Sequence, residues 1–504
     1  MRPLVIQGIV ALSTVSLLYA RQIGAFAVSR NRFYFFWDAR DSAAVLIGLL
    51  LTAAAAVAAR QAIARLDRGL LLRAFDHVFV VVLASGMLAL VPFSALPFPA
   101  FRQIWGHLLF MAVLLGVGVS FGTRKRGLIE AAKIVALVMS PFTLVLIVSV
   151  LRFDAWGTGS GAAGSEAPAP SSRAPALALI VFDGWSYARS VSGDIVREEL
   201  PAMKALARHS LSFRQARSGY LDTRASLPAL IYQADLGLEE HVPYWDPDRS
   251  GRKMRAPEGA SGIFSLAHQL GYSNRLVGYY LPYCELLRGE LDTCFAQSHE
   301  PKGDHLTGAV GLSILRNLRH LRDPIMPAVH QRVYRRVFSR HWFEMSHRVI
   351  DEAARVLSEV GPGTLTFVHL PIPHWPFVFD RDGSYYGHTD GTDDERGPAD
   401  AASYIRSLEF SDRVLGKMID SLEESEQFDD MTLIVTSDHA ARTLDWSDSE
   451  PRRVPLLIRL PGQKQGLSIE SPISNNQLAP LIEAALGKRL GVRRALDLLA
   501  VEAQ

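Results

Sequence analysis

The chain has 504 residues and is 49% hydrophobic, more apolar than a purely soluble protein of this size, with room for two or three domains. Its 53 Lys and Arg nearly balance 51 Asp and Glu, and the net charge of +2 excludes the basic patch expected of a nucleic-acid binder. Only two cysteines occur, Cys284 and Cys294. They lack further Cys or His at spacings suited to a two-thiol metal site, and in an exported domain they are expected to form a short-loop disulfide.

The apolar excess lies in the first third of the chain. Five runs, about Pro3–Ala20, Ala43–Ala59, Val78–Phe98, Ile104–Phe121 and Ala131–Leu151, are each long enough, or nearly so, to cross the roughly 30 Å core of a bilayer. They predict a five-helix transmembrane domain over residues 1–154. With the N-terminus inside, the inner loops hold Arg60, Arg65, Arg68, Arg73, Arg124, Lys125 and Arg126. The outer loops hold Arg21, Arg30, Arg32, Arg40 and Arg102. That bias places everything after Leu151 outside the cytoplasm, which agrees with the disulfide. The aromatic run Phe33–Trp37 then reads as an interfacial belt.

Residues 155–174 are rich in Gly, Ser, Ala and Pro and read as a flexible linker, because they contain almost no large apolar residue to bury. The globular domain is expected over 175–504. Its first element, Ala176 to Phe182, is a continuous apolar run ending at Asp183-Gly184, as in a central parallel strand that meets a loop. A helix is expected around Leu200–Leu211 and a strand over Phe213–Arg217. Next, Gly219-Tyr-Leu-Asp-Thr223-Arg-Ala-Ser226-Leu-Pro228 leads from a loop into a helix. A helix start of this kind can hold an anion through its free N–H groups, although Thr223 or Ser226 also serves as an ordinary cap.

Leu365-Thr-Phe-Val-His369-Leu-Pro371-Ile-Pro373-His374-Trp375-Pro376 is a second buried strand entering a Pro-rich loop. His369, nearer the strand, reads as a core histidine. His374, held between two prolines, is the better candidate for substrate contact. Ser403–Leu422 is an amphipathic helix. The run Met431-Thr-Leu-Ile-Val-Thr-Ser-Asp438-His439 is a third strand that delivers a carboxylate beside an imidazole at its carboxyl end. Val454 to Leu460 is one further strand. Strands alternating with helices over such a length predict a doubly wound, largely parallel α/β domain.

Asp183, then Thr223-x-x-Ser-x-Pro-Ala-Leu, Pro-His374-x-Pro and Thr-Ser-Asp438-His439, in this order after five apolar spans, resemble the alkaline phosphatase/sulfatase superfamily. Within it, the arrangement is similar to the membrane-anchored transferases typified by lipoteichoic acid synthase and lipid A phosphoethanolamine transferase. The resemblance implies an alkaline phosphatase-like fold and one or two divalent metal ions, zinc or manganese, held by Asp183, Thr223, Asp438 and His439. It implies Thr223 as a nucleophile forming a phosphothreonine, with His374 stabilising charge or protonating a leaving alkoxide. Ser226 stays open as an alternative nucleophile.

The chain also departs from the family. Those transferases usually carry Glu where Asp183 stands, and sulfatases usually carry two adjacent Asp. The Cys/Ser-x-Pro-x-Arg motif of true sulfatases, whose first residue becomes formylglycine, is absent. The function expected from the resemblance is transfer of a phospholipid-derived head group, phosphoethanolamine or phosphoglycerol, to an extracytoplasmic glycan or lipid acceptor. The enzyme would sit in the inner membrane with its catalytic domain in the periplasm. The alternatives are a membrane-bound hydrolase of phosphate or sulfate esters, and an inactive family member that binds a lipid or a partner as a sensor.

Overall fold

The computed structural model describes residues 2–22, 38–66, 69, 71–72, 75–76, 83, 125–155, 174–192, 195–233, 262–303, 305–325, 327–387, 401–441 and 452–501. The predicted spans Val78–Phe98 and Ile104–Phe121 and the aromatic run Phe33–Trp37 lie almost wholly outside these residues, as does most of the 155–174 linker. The chain divides into two compact units, residues 1–159 with 301–337, and residues 160–300 with 338–504.

The first unit is helical. Its helices are α1 (Arg2–Gln22), α2 (Ala39–Arg65), α3 (Lys125–Val138) and α4 (Ser140–Ala155). Among the described residues, α2 is the one helix of at least 18 residues that is also apolar enough to cross a membrane. The predicted single run Ala131–Leu151 is divided instead between α3 and α4, with a break at Met139. Pro141 has no N–H to bond the carbonyl one turn earlier, so the ladder resets just before it. Asp38 caps α2 by accepting from the Asp41 N–H at 3.0 Å, and the Asp41 side chain returns the bond to the Asp38 N–H at 3.1 Å.

The second unit begins with β1 (Leu177–Asp183). It continues through α5 (Tyr187–Ser190), β2 (Val191–Ser192), β3 (Ile195–Val196), α6 (Pro201–Ala207), β4 (Leu211–Phe213) and β5 (Ala216–Arg217). Then come α7 (Thr223–Tyr232), α8 (Ile263–Gln269), β6 (Ser273–Tyr279), α9 (Tyr283–Leu286) and β7 (Thr293–Gln297). Helix α10 (Leu306–Ile325) groups with the first unit, where it packs on α2. Helix α11 (Pro327–Ser358) gives its part from Phe338 onward to the second unit. The unit closes with β8 (Thr364–Pro373), α12 (Ala401–Glu424), β9 (Thr432–Ser437), β10 (Leu456–Arg459), β11 (Leu467–Ile469), β12 (Ile473–Ser474), α13 (Ala479–Gly487) and α14 (Val492–Leu499). The expected strand Phe213–Arg217 is thus two short strands, β4 and β5. They belong to different sheets.

Among the described residues, eight strands form one sheet in the order β11-β4-β10-β9-β1-β8-β6-β7, and only β10 runs antiparallel to its neighbours. Every residue of β1, β8 and β9 is buried, as central parallel strands require. On one face, Ala178, Ile180 and Phe182 of β1 join Val368 and Leu370 of β8 and Leu433 and Val435 of β9. They pack against Met203 and Leu206 of α6, Val349 and Ala353 of α11, and Leu408 and Leu415 of α12. Register then does the positioning. Phe182 stands opposite Ser437 on β9, and after a bulge Asp183 stands opposite Pro373 on β8. The residues that leave these three strands, Asp183, His374 and Asp438, therefore emerge together at one edge of the sheet.

Candidate active site

Asp183 ends β1 and Gly184 follows in a left-handed conformation at φ +78°, which residues with a Cβ rarely adopt. The turn lets the Gly184 N–H reach Asp438 Oδ1 at 3.2 Å. The His439 N–H bonds the same oxygen at 2.7 Å. The Asp438 N–H itself bonds the Phe182 carbonyl, and Ser437 Oγ donates to that carbonyl as well. Both carboxylates are buried, at 1% and 0% exposure. Burying such ions costs several kcal/mol each unless opposite charge compensates.

Three imidazoles face them. His439 Nδ1 bonds the Ala440 carbonyl at 2.8 Å and His374 Nδ1 bonds the Trp375 carbonyl at 2.5 Å. A carbonyl only accepts, so each Nδ1 carries a proton, and each ring turns its Nε2 toward the carboxylates. His439 Nε2 lies 3.3 Å from Asp183 Oδ1 and 3.5 Å from Asp438 Oδ2, and His374 Nε2 lies 3.9 Å from Asp183 Oδ1. His369 Nε2, from within β8, is 3.9 Å from Asp183 Oδ2. Ligand-type atoms of Asp183, His374 and His439 fall within 4.8 Å of one another, and so do those of Asp183, His369 and Asp438.

Thr223, the first residue of α7, turns Oγ1 into this group, 3.1 Å from His439 Nε2 and 3.4 Å from Asp183 Oδ2. Its helix starts here because Asp222 caps it, accepting from the Arg224 N–H at 2.9 Å. Ser226, three residues on, donates instead to the Tyr220 carbonyl at 2.7 Å. The structure therefore brings together Asp183, Thr223, His374, Asp438 and His439, and it separates Thr223 from Ser226. Cys284 and Cys294 form a disulfide, with an S–S distance of 2.10 Å.

The electrostatics follow from burial. Burial works against charge on Asp183, but the imidazoles of His374, His439 and His369 and the bond from Tyr279 outweigh it, so its carboxyl stays below the usual carboxylate range. Burial pushes the His369 imidazole down to about 4 despite Asp183, so this ring is neutral at pH 7. Burial and the nearby carboxylates raise the Tyr279 and Tyr283 phenols well above their ordinary value, which keeps both protonated. Asp183 Oδ1 and His369 Nε2 are buried and have no hydrogen-bond partner among the described residues. Both atoms belong to residues of the Asp/His clusters whose ligand-type atoms lie within 4.8 Å of one another. Two carboxylates, the Nε2 atoms of three imidazoles and a hydroxyl fit a divalent cation with mixed oxygen and nitrogen ligands.

Three members of this site are not apparent from the sequence reading. His369 reads as core because it is fully buried, yet it is aimed at Asp183. Tyr279 and Tyr283 lie on a strand and turn that the motifs do not reach. The available signal was Tyr279 itself, the last residue of a strand whose second half is apolar, Leu276-Val-Gly-Tyr279, as Asp183 is the last residue of β1. Cavity size is no guide. A cavity of about 610 Å3 lined by Met203, Arg214, Leu457 and Gly466 lies elsewhere in the same unit, and no metal-type cluster was found among its residues.

The site is thus a buried Asp/His cluster at the carboxyl edge of a largely parallel α/β sheet, with a hydroxyl at a helix start facing it. The Sulfatase family model matches residues 175–488, more than half of the chain, and the protein belongs to that family. It is accordingly a sulfatase-family enzyme of hydrolase or phosphotransferase chemistry. Among curated proteins no relative matches. Solved structures with a similar chain trace include Ps i-CgsB in complex with k-i-k-neocarrahexaose, at 17% identity and a TM-score of 0.43, covering 64% of this chain and 74% of that one. The phosphonate monoester hydrolase of Agrobacterium radiobacter is 18% identical with a TM-score of 0.41, covering 66% and 74%. A 2-O GAG sulfatase is 13% identical with a TM-score of 0.39, covering 66% and 76%.

Proposed function

We propose that the protein is a membrane-anchored phosphotransferase that moves a phospholipid-derived head group, phosphoethanolamine or phosphoglycerol, to a hydroxyl of a glycan or lipid acceptor outside the cytoplasm. The observation that carries this reading is the hydroxyl of Thr223, set at a helix start against Asp183 and His439, while Ser226 is committed to a backbone carbonyl and both cysteines to each other.

Asp183, Asp438, His439 and Thr223 would hold the cation, with His374 and His369 beside them. When bound, a divalent ion lowers the pKa of a hydroxyl and neutralises charge on a phosphoryl oxygen. Thr223 Oγ1 attacks the phosphorus of the donor. A threonine O–P bond forms, the bond to the diacylglycerol oxygen breaks, and the hydroxyl proton leaves to water at the mouth of the site, since His439 Nε2 and Asp183 are assigned to the cation. His374, with 26% of its side chain exposed where Asp183 has 2%, stands at the mouth of the site. Its Nε2 is placed to bond a phosphoryl oxygen or, when protonated, to give a proton to the departing alkoxide. The acceptor hydroxyl then attacks the phosphothreonine: its O–P bond forms, the Thr223 Oγ1–P bond breaks, and the acceptor's proton returns to Thr223 Oγ1.

The membrane part of the proposal rests on α2 and on the apolar character of α1 and α4, together with the five runs in the sequence. It places the helical unit in the inner membrane and the α/β unit in the periplasm, where a disulfide persists. The test is to incubate the full chain in phospholipid vesicles with a fluorescent-head-group donor, with and without a hydroxyl acceptor. A chromogenic sulfate ester runs in parallel. Release that depends on acceptor, and a Thr223→Ala variant without turnover, are expected. Faster release to water, or sulfate turnover, would replace the transferase by a hydrolase.

A further inference from the structure

Strand β6 ends in a feature that the family motifs leave unexplained. Tyr279 points its hydroxyl at Asp183 Oδ2 in a short hydrogen bond, and its ring lies 4.7 Å from that of His369. Four residues later, the Tyr283 hydroxyl is 2.9 Å from His369 Nδ1. Both side chains are buried, and between them they reach the two groups whose remaining ligand atoms lack hydrogen bonds, Asp183 Oδ1 and His369 Nε2.

The backbone is shaped for this arrangement. Tyr280 adopts a left-handed conformation at φ +67°, unusual for so bulky a residue, and the chain doubles back with the Leu281 N–H bonding the Tyr279 carbonyl at 2.7 Å. The turn lays the Tyr283 ring over Gly278, where an added Cβ would stand 2.7 Å from Tyr283 Cε2. Real Cβ atoms do not approach so closely, so glycine at 278 is a condition for Tyr283 to lie where it does. The next residue, Cys284, is bonded to Cys294 on β7, which fixes the turn to the edge of the sheet.

We infer that Tyr279 and Tyr283 are positioning residues for a divalent cation, a pair that presents Asp183 Oδ1 and His369 Nε2 to the ion. Tyr279, protonated, occupies Oδ2 of Asp183 and turns Oδ1 toward the site. Tyr283 bonds Nδ1 of His369 and so holds the ring in the orientation that leaves Nε2 3.9 Å from Asp183 Oδ2. Partners of this kind commonly change metal affinity by about 10- to 100-fold. The inference rests on the metal-dependent reading above and adds residues to it.

The experiment uses the full chain in detergent, stripped of metal and titrated with zinc against a chromophoric chelator of known affinity. Wild type, Tyr283→Phe, Tyr279→Phe and Gly278→Ala are compared, with melting temperatures of the metal-free forms recorded. Tyr283→Phe is expected to weaken zinc binding about 10- to 100-fold with an unchanged metal-free melting temperature, and excess zinc is expected to restore most of the turnover. Gly278→Ala keeps both hydroxyls but displaces one of them, and is expected to weaken binding likewise. If wild type binds zinc tightly and Tyr283→Phe binds it within twofold, this inference is overturned while the metal reading stands. A wild-type chain that takes up neither zinc nor manganese overturns both.

Discussion

Asp183 at the end of β1 and Asp412 within α12 are both buried to 1% exposure or less, yet their surroundings differ in kind. Asp412 has each oxygen bonded to a backbone N–H at the start of α6, Ala202 to Oδ2 at 2.9 Å and Met203 to Oδ1 at 2.8 Å. Burial pushes its carboxyl up to about 6, against the pull of those two bonds. Asp183 meets three imidazoles and two hydroxyls, sits below the usual range, and keeps Oδ1 without a hydrogen bond. Burial alone therefore does not mark a functional carboxylate. The distinguishing property is company: ligand-type atoms of His374 and His439, and of His369 and Asp438, lie within 4.8 Å of Asp183 and of one another, whereas Asp412 meets backbone N–H groups.

Exchanging each carboxylate for an amide should separate the two roles. Asp183→Asn is expected to lower turnover by about 10^3-fold or more, in the range seen when members of a catalytic group are removed, and to weaken metal uptake. Asp412→Asn should leave both within about twofold. Equal losses of turnover in the two variants would erase the contrast. Metal removal comes next in size. At a metal concentration about 1,000 times its Kd, chelation is expected to remove about 4 kcal/mol of apparent stability in wild type and far less in Asp183→Asn, read from thermal melts with and without chelator.

The disulfide gives a smaller effect of a different kind. Cys284 and Cys294 are 10 residues apart, and replacing both by Ser should cost about 2–3 kcal/mol, mostly by freeing the unfolded chain. Beside that stability loss, zinc affinity should fall because the Tyr283 turn is released. Stability lost with zinc affinity retained would show that the bond serves the fold alone.

The smallest effect concerns pH. The folded-state pKa of Asp412 lies above its unfolded value of 3.8, so folding favours its protonated form. Its contribution is complete below pH 3.8 and is lost as pH rises through about 6, on the order of 2–3 kcal/mol at most. The melting temperature of Asp412→Asn is accordingly expected to decline less than that of wild type between pH 4 and pH 7. Parallel profiles would mean that Asp412 does not titrate in this window.

The same distinction explains how much could be read from the chain alone. Continuous apolar runs ending in Asp183 and in Asp438-His439 identified two central strands and their carboxyl ends, because a parallel strand buried on both faces leaves so plain a record in composition. Thr223 and His374 were legible as polar groups at a helix start and in a Pro-rich loop. The short elements were not. β4 and β5 divide one expected strand because they pair with different partners, which local propensity does not encode.

By itself, then, the sequence determined the α/β class, the order of the central strands' site residues, the sulfatase-family motifs and the apolar character of the first third. Tertiary structure alone decided which hydroxyl faces the Asp/His cluster, since Thr223 and Ser226 lie three residues apart on one helix and only their surroundings tell them apart. It also decided that His369 belongs to the site, and that Tyr279 and Tyr283 hold it there. The physical reason is common to both. Local patterning reports whether a side chain is buried, whereas the partners it meets there come from residues distant in the chain, brought together only by the register of the sheet.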